Sequence, residues 1–444
     1  MKPSSTYQKK RALRLSPAYL FLLVSLIIYG ISCLYVHSQD VPEAVSGTAE
    51  TPARPASSRF THLVPDGYGT PVRCDLTANH ETFSLFEDNG TYAMKGPYTG
   101  EIDQRTAQSI LAAGASILSR DTLSLTPEEA GLTPPVLTAV YTYADGRKLT
   151  LSMGDSPATG SGRYAMVEGD SHVYLVNSAL YEKLSVSPLS MILPPALDSI
   201  LCAQTIQQLQ IRLPGAEPLL LQRTDPDNPY RTVCEMVSPF HWPVNSERTG
   251  KLFLAIESLK PLQAAVLSAP EFLAEFSVTG PEGYLSFTLL SENGHLYLQP
   301  AGDSLAYLLA DDACDFLSEV RIPYLAEQLP ALVSLDCVNT LILEQPSESH
   351  TLDCTASLLD GKPVSSEELK SRYTAVISLL LDGYLEEGPS AGKKLLTVHF
   401  ELTDGTDFHI SFYDYDGTYA LIDRMGARHF LIQKTKLKAL MDLF

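Results

Sequence analysis

Charged residues are scarce in this sequence. Asp, Glu, Lys and Arg make up 19% of its 444 residues against 45% hydrophobic, the reverse of a chain too polar to bury a core. The chain therefore folds, and its length suits about three domains of 100–200 residues. Basic residues are the scarcer sign, 32 Lys+Arg against 52 Asp+Glu for a net charge of -20, which disfavours nucleic acid as a partner. Catalytic motifs are scarce as well: there is no HExxH and no CxxC. Gly388-Pro389-Ser390-Ala391-Gly392-Lys393-Lys394 has the outline of a phosphate loop. It is one residue short, puts Lys394 where a hydroxyl would hold Mg²⁺, and follows a helix instead of preceding one, so it reads as a helix-to-strand loop. Asp414-Tyr415-Asp416-Gly417 and Asp225-Pro226-Asp227-Asn228 offer oxygens to Ca²⁺ but lack the closing bidentate Glu, and read as turns. The sequence thus assigns no catalytic, cofactor-binding or metal-binding residue.

One stretch lacks charge altogether. Tyr19 to Val36 runs 18 residues without a charged side chain, close to the ~20 that a helix needs to cross hydrocarbon. Residues 1–17 before it hold Lys2, Lys9, Lys10, Arg11 and Arg14 and no acid, a local charge of +5 that leaves the rest of the chain at -25. The expected layout is a basic cytoplasmic tail (1–17), one transmembrane helix (18–36) with its N-terminus inside, and a flexible linker (37–65) containing Pro42, Pro52 and Pro55. The length of the run and its Tyr35-Val36-His37 end favour an uncleaved anchor over a cleaved signal, whose apolar part is usually ~7–15 residues. Gly30-Ile31-Ser32-Cys33 offers lipidation at Cys33 as a third form. The body is then expected outside the cytoplasm, tethered to the cell membrane.

The body shows a repeat. Thr138–Ser152 and Leu395–Phe412 alternate apolar and polar residues on both sides of Asp145-Gly146 and Asp404-Gly405, and Glu282-Gly283 lies between similar runs. A second hairpin follows each: residues 163–167 with 172–176, 295–298 with 305–309, and 418–422 with 429–432. Upstream lies an amphipathic helix, carried by Ala107, Ile110, Leu111, Gly114, Ile117 and Leu118 in the first copy and by Leu369, Tyr373, Val376, Ile377, Leu380 and Tyr384 in the third. The second copy's helix begins after Asn245, and Ser365 opens the third. Short strands precede each helix around 81–86, 206–213 and 340–344. The predicted fold is α+β: three tandem repeats (66–194, 195–326 and 327–444), each an antiparallel β-meander covered by one helix.

The run Leu125-Thr126-Pro127-Glu128-Glu129-Ala130-Gly131-Leu132, the turn Tyr143-Ala144-Asp145-Gly146-Arg147, the step Leu151-Ser152-Met153-Gly154-Asp155, then Gly162-Arg163-Tyr164 and Val173-Tyr174-Leu175-Val176 resemble the domain-of-unknown-function 4340 family, mainly over residues 75–240 and faintly across the third copy. The resemblance implies a bacterial, single-helix membrane protein of the kind often found beside transporter permeases of the ATP-binding-cassette (ABC) type, and it supplies no catalytic residues. The family's usual Trp near the first strands is Tyr92 here.

Outside the anchor stand Cys74, Cys202, Cys234, Cys314, Cys337 and Cys354. Cys202 with Cys234 and Cys337 with Cys354 are candidate cross-strand disulfides, the alternative being reduced thiols in a core. His172, His295, His399, His409 and His429 fall at strand ends or alternating positions and read as solvent-facing. Trp242, the single Trp, reads as packed just ahead of the second helix. The expectation is a non-enzymatic, membrane-anchored accessory or interaction protein, associated with an ABC-type transporter or envelope complex. The alternative is an extracytoplasmic ligand-binding protein or hydrolase with a site between repeats.

Overall fold

The computed structural model describes residues 60–444 except Thr159, Pro226, Asp227, Tyr230 and Arg231. The expected cytoplasmic tail, the membrane helix and all but the end of the linker lie outside the described residues. Among those described, no helix is long and apolar enough to cross a membrane. The fold begins earlier than residue 66, because β1 (Thr61–His62) pairs with a later strand through Thr61 and Ser119, and Leu63 and Val64 are buried.

Strands β2 (Pro71–Ala78), β3 (Glu81–Asp88) and β4 (Thr91–Lys95) form a first meander. Helix α1 (Gln104–Ala113) follows, then β5 (Leu118–Leu123), then a second meander of β6 (Leu137–Tyr143), β7 (Lys148–Met153), β8 (Arg163–Val167) and β9 (Val173–Val176), and a short helix α2 (Ser178–Leu184). All pair antiparallel in one nine-stranded sheet, ordered β1-β5-β9-β8-β7-β6-β2-β3-β4.

The second unit repeats the plan with β10 (Gln208–Arg212), β11 (Leu219–Arg223), β12 (Cys234–Ser238), β13 (Trp242–Pro243), helix α3 (Ser246–Glu257), β14 (Ala264–Ala265), β15 (Glu271–Gly280), β16 (Gly283–Glu292), β17 (His295–Pro300), β18 (Ala306–Leu308) and α4 (Ile322–Leu325). The third has β19 (Val338–Glu344), β20 (Ser349–Asp353), β21 (Leu358–Leu359), β22 (Lys362–Pro363), α5 (Ser366–Ile377), β23 (Gly383–Tyr384), β24 (Lys394–Leu402), β25 (Asp407–Asp414), β26 (Tyr419–Arg424), β27 (Ala427–Gln433) and α6 (Lys434–Met441). Their sheets run β13-β12-β11-β10-β15-β16-β17-β18-β14 and β22-β21-β20-β19-β24-β25-β26-β27-β23, an identical order once each strand is matched. Three α+β repeats built on antiparallel meanders are therefore present.

Local chemistry explains the elements. At Asp145-Gly146 the aspartate accepts from Arg147 N at 3.0 Å and the glycine takes φ +84°, the conformation a tight hairpin demands. Asn245 and Ser365 cap their helices by accepting from Arg248 N and Glu368 N. Each main helix buries one stripe, Ala107, Ile110 and Leu111 in the first and Leu369, Tyr373 and Val376 in the third. Further details differ from the sequence reading. The first helix stops at Gly114, and Leu118 opens β5. Each unit also ends in a second, short helix, too brief to display a period of its own.

The joints between units repeat too. After the first unit the chain returns so that Asp103 N donates to Met191 O at 2.9 Å and Leu193 N to Glu101 O at 2.8 Å. After the second, Asn245 N donates to Leu325 O and Glu327 N to Pro243 O, both at 2.8 Å. Each returning segment thus binds beside the cap of its own main helix. From there Gln328 O accepts from Leu381 N of the third unit, and the cores of units two and three merge into one cluster.

Candidate functional site

A cleft of ≈ 760 Å³ opens where units two and three meet. Its walls come from the β10–β11 hairpin (Ile211, Leu219, Glu217), the turn before β13 (Phe240), α4 and its flank (Ile322, Arg321), and from β23 and β27 of the third unit (Tyr384, Glu386, His429). The rings are ordered. Phe240 stacks on His429 with centroids 4.2 Å apart and planes 8° from parallel, and Tyr384 lies 6.3 Å from the same imidazole on the third unit. Beneath them Trp242 packs on Phe430 at 4.2 Å and donates from Nε1 to Glu327 O at 3.1 Å.

His429 Nδ1 lies 3.1 Å from Leu385 O. A neutral imidazole placed so carries its proton on Nδ1, leaving Nε2 as an acceptor. That nitrogen faces the loop at Gly388, where an added Cβ would stand 3.2 Å away. Burial, followed by the neighbouring Glu386, raises the Tyr384 phenol above the ordinary range, so it stays a neutral donor. The cleft is thus an apolar, aromatic trough with a rim of both charge signs, suited to gripping flat or extended apolar groups. His429 is the residue the sequence reading missed, since it is half-buried between aromatic rings and not solvent-facing. Phe240 and His429 lie far apart in sequence, and no local signal pairs them.

The other singled-out residues have structural places. Trp242 is fully buried. Cys74, Cys202, Cys234, Cys314, Cys337 and Cys354 are all free thiols, so neither Cys202–Cys234 nor Cys337–Cys354 is bonded. Burial pushes the Cys234 and Cys354 thiols up to about 11, which suppresses the thiolate needed for disulfide chemistry. Among the described residues no group of three or more His, Cys, Asp or Glu side chains could hold a metal. Asp416 accepts from Thr418 N and Tyr419 N, ordinary turn bonds, and Asp227 lies outside the described residues.

Most of the stretches that carried the family resemblance meet in one knot of the first unit, while the Tyr143–Arg147 turn packs on Tyr68 instead. Asp155 N donates to Ala130 O at 2.9 Å, Gly154 N to Tyr164 O at 2.9 Å and Tyr164 N to Asp155 O at 3.0 Å. Arg163 Nη1 donates to Gly154 O at 3.0 Å while its guanidinium sits 3.8 Å over the Tyr181 ring. Leu132 and Val173 bury a small core beside it. Residues 94–260 match the family model described as "Domain of unknown function (DUF4340)". Over that stretch the chain is similar to the DUF4340 family. The matched stretch runs from β4 to just past α3, so it crosses the first joint and contains the whole knot. No curated protein matches the chain. Among solved structures, the DNA polymerase sliding clamp from Pseudomonas aeruginosa is 9% identical, over 86% of this chain and 92% of that one, with a TM-score of 0.14, too low to support a shared fold.

Next to the knot, the β8–β9 turn has a pH-dependent contact. Asp170 is held down to about 2 by the Tyr174 hydroxyl, 2.5 Å away, and then by the His172 side chain and backbone. Folding favours its ionised form, so the stability it contributes is present above the ordinary aspartate value of 3.8 and is lost as pH falls toward 2. Asp170→Asn is therefore expected to lower the urea midpoint at pH 6 and to match the parent near pH 2. A gap of equal size at both pH values would refute the assignment.

Proposed function

We propose that this protein is a non-enzymatic, membrane-anchored accessory protein with an extracytoplasmic body, working beside an ABC-type transporter or envelope complex. In this reading the cleft between units two and three receives an extended apolar segment of the partner. The cleft's chemistry carries the proposal: rings are locked face to face, apolar side chains line the floor, and Arg321, Glu217 and Glu386 stand at its rim. Such a surface binds by burying apolar groups while the rim sets orientation. The uncharged run 19–36 behind a +5 tail supports the anchor and the orientation.

A second reading, a small-ligand or hydrolytic site between repeats, shares this location, because the volume falls within the ~300–1,000 Å³ of small-molecule sites. A photoreactive residue in place of Glu386, with a matched probe at Glu282 on the distant β15–β16 hairpin, separates the two. In intact cells, crosslinking of a transporter or envelope subunit from position 386 and not from 282 is the expected result, with at least tenfold loss in a folded Tyr384→Asp variant. Equal yields from both positions would sink the cleft as the docking site. A crosslinked small molecule would favour the second reading.

A further inference from the structure

A second surface runs against the charge of the whole molecule. On the third unit an open groove of ≈ 420 Å³ lies between α6, the start of β24 and the β19–β20 turn. Its apolar lining is Leu395, Leu437 and Met441, and Lys393, Lys394, Lys434 and Lys438 surround it. Four cations therefore converge on one groove, in a chain whose residues after position 17 sum to -25.

Their placement follows from the sequence. The loop that resembled a phosphate-binding motif delivers Lys393 and Lys394. Gly392 lies so close to β25 that an added Cβ would sit 2.2 Å from Asp414 O, and Asp414 N donates to Lys393 O at 2.7 Å, which fixes the two lysines at the rim. On α6, Leu437 and Met441 stand four residues apart, as do Lys434 and Lys438. The apolar pair and the basic pair therefore form adjacent rows along the helix. Lys434 is committed to Asp414 and to Asp416 O. Lys393, Lys394 and Lys438 are exposed, and among the described residues no carboxylate pairs with them.

We propose that this groove docks an acidic amphipathic helix of a partner protein, with leucine-type side chains on the floor and glutamates against Lys393, Lys394 and Lys438. Charge complementarity selects an acidic occupant. The paired rows match the i, i+4 spacing of a helix laid along α6. The open, concave form favours a polypeptide over an enclosed acyl chain, which needs most of its surface buried, and over a flat bilayer, which cannot enter a groove. The surface is separate from the cleft, so either can fail alone.

The test uses the full chain in neutral-lipid nanodiscs. The probe is a fluorescein-labelled synthetic helix of two heptads of Leu and Glu, with its Lys-for-Glu counterpart as control. The Glu peptide is expected to bind, to weaken as salt rises from low to high ionic strength, and to lose at least tenfold in affinity for K393E/K394E/K438E. That triple variant should gain the Lys peptide. A variant with the same charge change elsewhere, K95E/K148E/K260E, should bind the Glu peptide within about twofold of the parent. All these positions are exposed, and an unchanged melting temperature shows that the variants fold. Undiminished binding by the first triple variant, or equal loss in the second, would overturn the proposal. So would absence of peptide binding together with flotation on phosphatidylglycerol vesicles that the first triple variant abolishes, which would make the groove a lipid site.

Discussion

A Trp242→Ala variant is expected to lose about 3–5 kcal/mol of stability, the range for truncating a large aromatic in a filled core. Trp242 has 0% of its surface exposed, packs with its ring tilted against Phe430 of the third unit and donates to Glu327 O. Its removal empties space on both sides of the joint and strips the Glu327 carbonyl of its side-chain donor. Trp242→Phe separates the two effects. It keeps a ring against Phe430 but leaves that carbonyl without the indole, a loss of about 1–3 kcal/mol. Far-UV circular dichroism in a urea titration checks both. Alanine and phenylalanine variants of equal stability would mean that the hydrogen bond, and not the packing, governs the site.

Gly154→Ala is expected to cost about 3 kcal/mol or more, at the upper end of overpacking effects. An added Cβ would stand 2.1 Å from Ala130 O and 2.8 Å from Gly131 C and O. Those atoms are backbone, with no rotamer to yield. Ala130 O also accepts from Asp155 N, so moving it breaks the pairing that closes the knot. The expected observation is an earlier first transition in urea, with the transition reported by the single Trp, Trp242, changed less because it sits in the second unit. A midpoint within about 0.5 kcal/mol of the parent, as at unremarkable surface sites, would show that the knot relaxes freely.

Much of each unit was legible because the signals are local. Asp145-Gly146, Asp404-Gly405 and Glu282-Gly283 mark the hairpins that form β6–β7, β24–β25 and β15–β16. Ser365 and Asn245 mark the caps. The helix reading overran at Ile117 and Leu118, and again at Leu380 and Tyr384, since apolar residues in the segment after a helix can continue the helical spacing by coincidence. Tyr384 belongs to β23, an edge strand paired with β27. The histidines misled for a related reason. Alternation along β27 gives the side of the sheet on which His429 stands, but not that the turn at Phe240 covers it from another unit.

The sequence by itself determined the acidic, folded character of the chain, the threefold plan of meander, helix and meander, and the resemblance carried by Ala130-Gly131-Leu132 and Gly154-Asp155. Each rests on composition or on residues within a few positions of one another, where turn chemistry, capping and burial period act. Tertiary structure alone decided that the family motifs close a knot at Gly154, that the units join through segments returning to the helix caps, and that Phe240 meets His429 across a joint. It also decided that the loop at Gly392 turns two lysines onto α6. These outcomes depend on the fit of surfaces brought together from distant parts of the chain, and a one-dimensional pattern carries no record of which surfaces meet.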